Sequence, residues 1–199
     1  MKLAAIGVRM HSGWGALVAV HYETGGKIEI IDRRRIVVID PKSPGAKQPY
    51  HFAENMELAR AGEFIENCFE NTKQIATKAI RDLLGELNAR KYRVKGAAVV
   101  LASGRPLPPL EKILSAHPLL HTAEGVFFRE VFAKACQSCG LATTGVRERD
   151  LTEAMNAKFG KTAAKMQRQV AAQGRTIGPP WTTDQKTATL AALTLLAKK

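Results

Sequence analysis

Residues 3–20, LAAIGVRMHSGWGALVAV, decide how this chain is read. Residues 3–9 form an apolar run of strand length, and 15–22 form a second one. The turn residues His11-Ser12-Gly13 lie between them and make the pair a hairpin. A Lys followed by an apolar stretch also opens a signal peptide. Here Arg9 and His11 interrupt the stretch, and its β-branched and Gly content is that of strands. The first acidic residue of the chain is Glu23.

Working outward, Lys27–Asp40 (KIEIIDRRRIVVID) alternates and then runs apolar, which predicts a third strand with a basic middle. Residues 22–26 are the hairpin before it. Pro41–Pro49 is a Pro/Gly/Lys loop, and Tyr50–Ala53 is a short strand. Met56–Ala89 repeats apolar residues at helical spacing, with a bend expected near Gly62 or Gly85. Val94–Ala102 is a continuous apolar run, the pattern of a strand covered on both faces. Ser103–Pro109 is a loop. Leu110–His117 is a short helix ended by Pro118, and Thr122–Cys139 is a helix capped by Thr122 at one end and Gly140 at the other. Leu141–Val146 is a strand. Helices then follow from Asp150, over Lys161–Gln173, and from Thr183 or Asp184 to about Ala197, with a Gly/Pro loop at Gly174–Trp181. Three strands followed by alternating helices and strands call for an α/β layered fold, within one domain over residues 1–199.

The chain of 199 residues is 45% hydrophobic, enough for a real core and against disorder. It has no run of 18 apolar residues, so no membrane span is expected. Three Cys give no even disulfide framework, which suits a reducing cytoplasm. The net charge of +12 points to an anionic partner, and nucleic acid is the usual one. Residues 158–199 carry eight cations against Asp184 alone, or +7 of that total.

The opening hairpin resembles that of the ribonuclease-H-like nucleases, especially the RuvC-type Holliday-junction resolvases. Gly7-Val8 matches the approach to the family's first catalytic Asp, and Gly13-Trp14-Gly15 matches its Gly-aromatic-Gly. Ala123-Glu124-Gly125 through Gly140-Leu141 resembles the family's helix from Arg-Gly to Gly-Leu. Gly160, Ala163, Lys165, Gln167 and Val170 follow its Gly-x-Ala-x-Lys segment, and Pro180–Leu196 resembles its last helix, which begins Asp-x-x-Asp. The resemblance implies a five-stranded mixed sheet flanked by helices, opened by a three-stranded antiparallel meander. It also implies a nucleic-acid partner, DNA rather than RNA, and a homodimer.

The family's chemistry rests on four clustered acids. They hold two Mg²⁺ about 3.5–4 Å apart, which activate water and stabilise the leaving oxygen. Arg9 stands at the first of those positions, Leu101, Ala102 or Ser103 at the second, and Thr187 at the fourth; only Asp184 matches. A fixed guanidinium is never a Mg²⁺ ligand and repels the ion. The expectation is a nucleic-acid binder without two-metal cleavage and without a resident cofactor. The alternative is an active nuclease, dependent on Mg²⁺ or Mn²⁺, in which Asp184 joins Glu124 and Asp150 as relocated acids, with Glu54 and Glu57 as further candidates. A third reading is a partner-binding scaffold whose charge serves solubility.

Expected nucleic-acid contacts are Arg9 and His11 in the first turn, then Lys158, Lys161, Lys165, Arg168, Arg175 and Lys186. Lys161, Lys165 and Arg168 share one helical face, a stripe suited to phosphate contact, with Ala164, Val170 and Ala171 turned inward. Arg33-Arg34-Arg35 forms a second patch, and Trp14 and Trp181 are candidates for base stacking. Cys136-x-x-Cys139 lacks two further ligands and reads as small helix residues. His117 and His121 have the spacing of one helix face, but Pro118 between them is expected to disrupt it.

Overall fold

The computed structural model describes residues 1–23, 26–102 and 106–197. Five strands form one mixed sheet: β1 (Lys2–His11), β2 (Trp14–Tyr22), β3 (Ile28–Val37), β4 (Tyr92–Leu101) and β5 (Ala142–Arg147). Their spatial order is β3-β2-β1-β4-β5, with the first three antiparallel and β4 and β5 parallel to β1. The meander and the alternating half lie as the sequence predicts. Thr24, Gly25, Ser103, Gly104 and Arg105 lie outside the described residues, and with them parts of the expected 22–26 hairpin and 103–109 loop.

Strand alternation in β1 sorts the molecule into two layers. Ala4, Ile6 and Val8 face one side and pack on α2 (Leu58–Ala89) and α4 (His117–Ser138), against Ile80, Leu83, Phe128 and Phe132. Phe128 and Phe132 are fully buried, each worth about 1.5–3 kcal/mol. Ala5, with Val18 and Val20, faces the other side. There it meets Met155 of α5 (Leu151–Phe159), Met166 and Val170 of α6 (Ala163–Ala172), and Ala188, Ala192 and Leu193 of the last helix.

That last helix, α8 (Thr183–Leu196), lies almost on the backbone of β1. A Cβ at Gly7 would stand 1.8 Å from the Ala188 carbonyl oxygen, so only glycine permits this approach. The close fit fixes where α8 begins, and with it Asp184.

Several local expectations change. Residues 50–53 belong to a short helix, α1 (Pro49–Ala53), because Pro49 is pre-set for a first helical turn. For the same reason Pro118 starts a helix. It sits in the first turn of α4, which therefore begins five residues before Thr122 and follows a shorter α3 (Leu110–Leu114). The Thr122 hydroxyl is not a cap and bonds back to the Pro118 carbonyl at 2.9 Å. The other end of α4 closes as expected: Leu141 N–H bonds Cys136 O at 3.0 Å and Gly140 N–H bonds Gln137 O at 2.9 Å, a Schellman pair. Gly174–Ile177, expected as loop, forms the short helix α7. Thr182 rather than Thr183 or Asp184 caps α8, in a capping box with Gln185. Asp150 precedes α5 without capping it, its carboxylate being drawn to Arg147 and Arg149.

Candidate functional site

The parallel strands β1, β4 and β5 end together, since Val8 pairs with Val99 and Leu101 with Arg147. In open α/β sheets the crevice outside such carboxyl ends is the usual place for a site. Arg9 and His11 are on the odd face of β1, the face that α8 covers.

Asp184 enters from the first turn of α8. Arg9 donates one guanidinium nitrogen to Asp184 Oδ1 and the other to Glu148 Oε2 at 2.9 Å. His11 Nε2 lies 2.8 Å from Asp184 Oδ2, and donates there because a carboxylate only accepts. Burial alone would push the Asp184 carboxyl up; the hydrogen bonds from Arg9 and His11 outweigh it and hold the group below the usual carboxylate range. Burial works equally against the Arg9 charge, and its two carboxylate partners raise its pKa despite it. The His11 ring stacks on Trp14 at 4.3 Å between centroids, and the Arg35 guanidinium lies 4.0 Å from the Trp14 ring centre.

The loop before α8 is pinned from the sheet. Arg33 donates to four successive carbonyls, those of Ile177, Gly178, Pro179 and Pro180, at 2.6–3.1 Å. Arg34 is paired with Asp32 and Glu86. So Arg33-Arg34-Arg35 is not a uniform phosphate patch: of the three, Arg35 alone is exposed. Trp181 is half-buried and donates its indole N–H to Val170 O at 2.7 Å, which ties it to α6.

The three candidate acids lie in separate networks. Asp184 is with Arg9 and His11, Asp150 with Arg147 and Arg149, and Glu124 is buried behind His51 on the opposite layer. Glu57 caps α2, accepting from the Ala59 and Arg60 amides, and Glu54 stands at the C-terminus of α1. At the second acidic position of the resemblance, Leu101 and Ala102 offer no ligand atom on their side chains, and Ser103 lies outside the described residues. Thr187 is buried within α8.

The remaining candidate contacts have a different character. Lys158, Lys161, Lys165, Arg168 and Arg175 are exposed and Lys186 is half-buried. None of the six forms an ion pair with a described residue. The buried side of α6 is Ala163, Met166 and Val170; Ala164 and Ala171 face solvent, one helical step from the expected stripe.

Glu148, His51 and Arg129 were not legible as site residues. Glu148 opens the 3-10 turn Glu148–Asp150 directly after β5, and meets Arg9 only through the end of that strand. Arg129 lines a cleft of about 620 Å³ with Leu101, Ala102, His121 and Thr144. Burial lowers its pKa, and it has no carboxylate partner among the described residues. Burial raises the thiols of Cys68 and Cys139, and burial with the neighbouring Cys139 pushes that of Cys136 up to about 12, away from the reactive thiolate.

This architecture is the ribonuclease-H-like fold. Among solved structures the chain is similar to RuvC of T. thermophilus in complex with a Holliday-junction substrate, with a TM-score of 0.53 and 12% identity over 96% of this chain and 91% of that one. A second Thermus thermophilus RuvC structure aligns at a TM-score of 0.49 and 14% identity, over 96% and 92%. No protein-family model and no curated protein matches the chain. No described helix is long and apolar enough to cross a membrane.

Proposed function

We propose that this protein binds structured nucleic acid, DNA in preference to RNA, on a ribonuclease-H-like scaffold that does not cleave by two metals. One observation carries the second half: the Arg9 guanidinium bridges Asp184 and Glu148 where the resemblance calls for a carboxylate and a divalent ion. A tethered cation already pairs with both acids and cancels one of their two charges. Mg²⁺ prefers near-octahedral oxygen ligands and would face a positive charge that never titrates away. Arg9, His11, Asp184 and Glu148 do not fit Mg²⁺ or Mn²⁺, so no cleavage step is assigned to them.

The binding half rests on charge. Lys158, Lys161, Lys165, Arg168, Arg175 and Lys186, none ion-paired with a described residue, supply the sequence-independent phosphate attraction that dominates such affinities. Arg129, half-buried and without a carboxylate partner among the described residues, is a further anion contact in the cleft beside the ends of β4 and β5. The T. thermophilus neighbour was solved with a Holliday-junction substrate, so a four-way junction is the natural first ligand.

The test is fluorescence anisotropy with four-way-junction, duplex and single-stranded DNA and with RNA, across a salt series. The proposal expects junction binding whose logarithm falls linearly with that of salt. Absence of binding at low salt would overturn it and favour the scaffold reading.

A further inference from the structure

We propose a second site: a transition-metal centre of the Zn²⁺ class, held by the Nε2 atoms of His51, His117 and His121 with Glu124 as their support. The site is on the α2/α4 layer, across the sheet from Arg9 and Asp184, and does not depend on the nucleic-acid reading.

The geometry follows from the helix starts. With Pro118 in the first turn of α4, His117 and His121 are one turn apart on one face, and their Nε2 atoms lie 3.1 Å from each other. Helix α1 packs on α4 and brings in His51, whose ring centre is 5.1 Å from that of His117 and 4.6 Å from that of His121. One ligand nitrogen from each residue lies within 4.8 Å of the others. Ligands at about 2.0–2.1 Å in a tetrahedron stand roughly 3.3–3.4 Å apart, so closure takes only small side-chain rotations.

Two independent details say what the cluster is for. Glu124, 2% exposed, accepts the Nδ1 proton of His51 at 2.8 Å and also faces the His51 amide at 3.3 Å. That bond fixes the tautomer with the Nε2 lone pair free, the carboxylate–histidine pairing that orients metal-bound imidazoles. Second, His51 Nε2 is buried and has no hydrogen-bond partner among the described residues. A buried polar atom left unpaired costs free energy unless something fills its place. Three imidazoles suit Zn²⁺ or Co²⁺ and not Mg²⁺. His117 and His121 are exposed, so the fourth position is open to water or a ligand oxygen, as in three-ligand catalytic zinc sites. The second His/acid group, His21, Glu23 and Glu29, is already occupied by Lys2 and Tyr92.

The test is Zn²⁺ titration calorimetry on the full chain, with Co²⁺ absorption reporting tetrahedral geometry. The expectation is one Zn²⁺ per chain and no competition by Mg²⁺. His121→Ala, at an exposed position, should weaken binding at least tenfold without affecting the fold. Glu124→Gln should weaken it about 10–100-fold, while His21→Gln leaves it unchanged. Failure to bind one Zn²⁺, a His121→Ala affinity within tenfold of wild type, or loss on His21→Gln would each overturn the assignment.

Discussion

Replacing Gly7 with Ala should be among the most damaging single-methyl changes this fold admits. The added Cβ would lie 1.8 Å from the Ala188 carbonyl oxygen, 2.7 Å from its carbon and 3.1 Å from the Ala192 Cβ. Ordinary contact begins near 3.4 Å, so α8 must retreat by about 1.6 Å. The obstacle is helix backbone packed on the central strand, and no flexible side chain can give way. Overpacking costs about 1–3 kcal/mol, and this geometry puts Gly7→Ala at about 3 kcal/mol. With a urea slope of about 2 kcal/mol per molar, the midpoint should fall by about 1.5 M. Gly85→Ala is the control: an exposed glycine of α2 with nothing within 4 Å of the added atom, it should stabilise by about 0.5–1 kcal/mol. Urea unfolding followed by circular dichroism reads both. A Gly7→Ala loss under about 0.5 kcal/mol would refute the close approach of α8 to β1, and with it the placement of Asp184 over Arg9.

Three other outcomes follow from the site. Lys165→Ala with Arg168→Ala should weaken binding to all DNA sequences alike and flatten the log–log salt slope by about 0.9 for each phosphate no longer neutralised; an unchanged slope would remove α6 from the interface. The Asp184 carboxyl is held below its usual value, so the unfolded chain binds more protons there and stability falls on acidification. Asp184's contribution is complete above an unfolded carboxylate value of about 3.9 and is lost as pH drops through its lower folded value. The stability gap between wild type and Asp184→Asn should therefore be flat near neutrality and shrink below about pH 4; a gap that widens on acidification would contradict the pairing with Arg9 and His11. Arg9→Met should also destabilise, because it leaves Asp184 and Glu148 without their shared cation; unfolding curves that match wild type would show that the pairing carries nothing.

The sheet is legible in the sequence because its signals are local and strong. Alternation in β1, the unbroken apolar run of β4 and the small-residue turn at Ser12-Gly13 each specify one structure. Two helix starts escape the sequence reading for a single reason: Pro49 and Pro118 look like breakers, whereas a proline in the first helical turn loses no hydrogen bond. The same ambiguity hides the His51–His117–His121 cluster, since Pro118 begins the very spacing that it is expected to spoil. That Arg9 and Thr187 stand where the resemblance calls for acids is plain from the sequence. What the residues around Arg9 do instead is not, because Glu148 and Asp184 are more than 130 positions away and meet it only through the sheet and α8.

The central claim, a ribonuclease-H-like scaffold whose Arg9 has taken the place of the metal, is tested most directly by incubating labelled four-way-junction DNA with the protein in Mg²⁺ or Mn²⁺ and resolving the strands on a denaturing gel. The account predicts bound and intact strands in either metal. Metal-dependent cleavage that disappears in Asp184→Asn would contradict it.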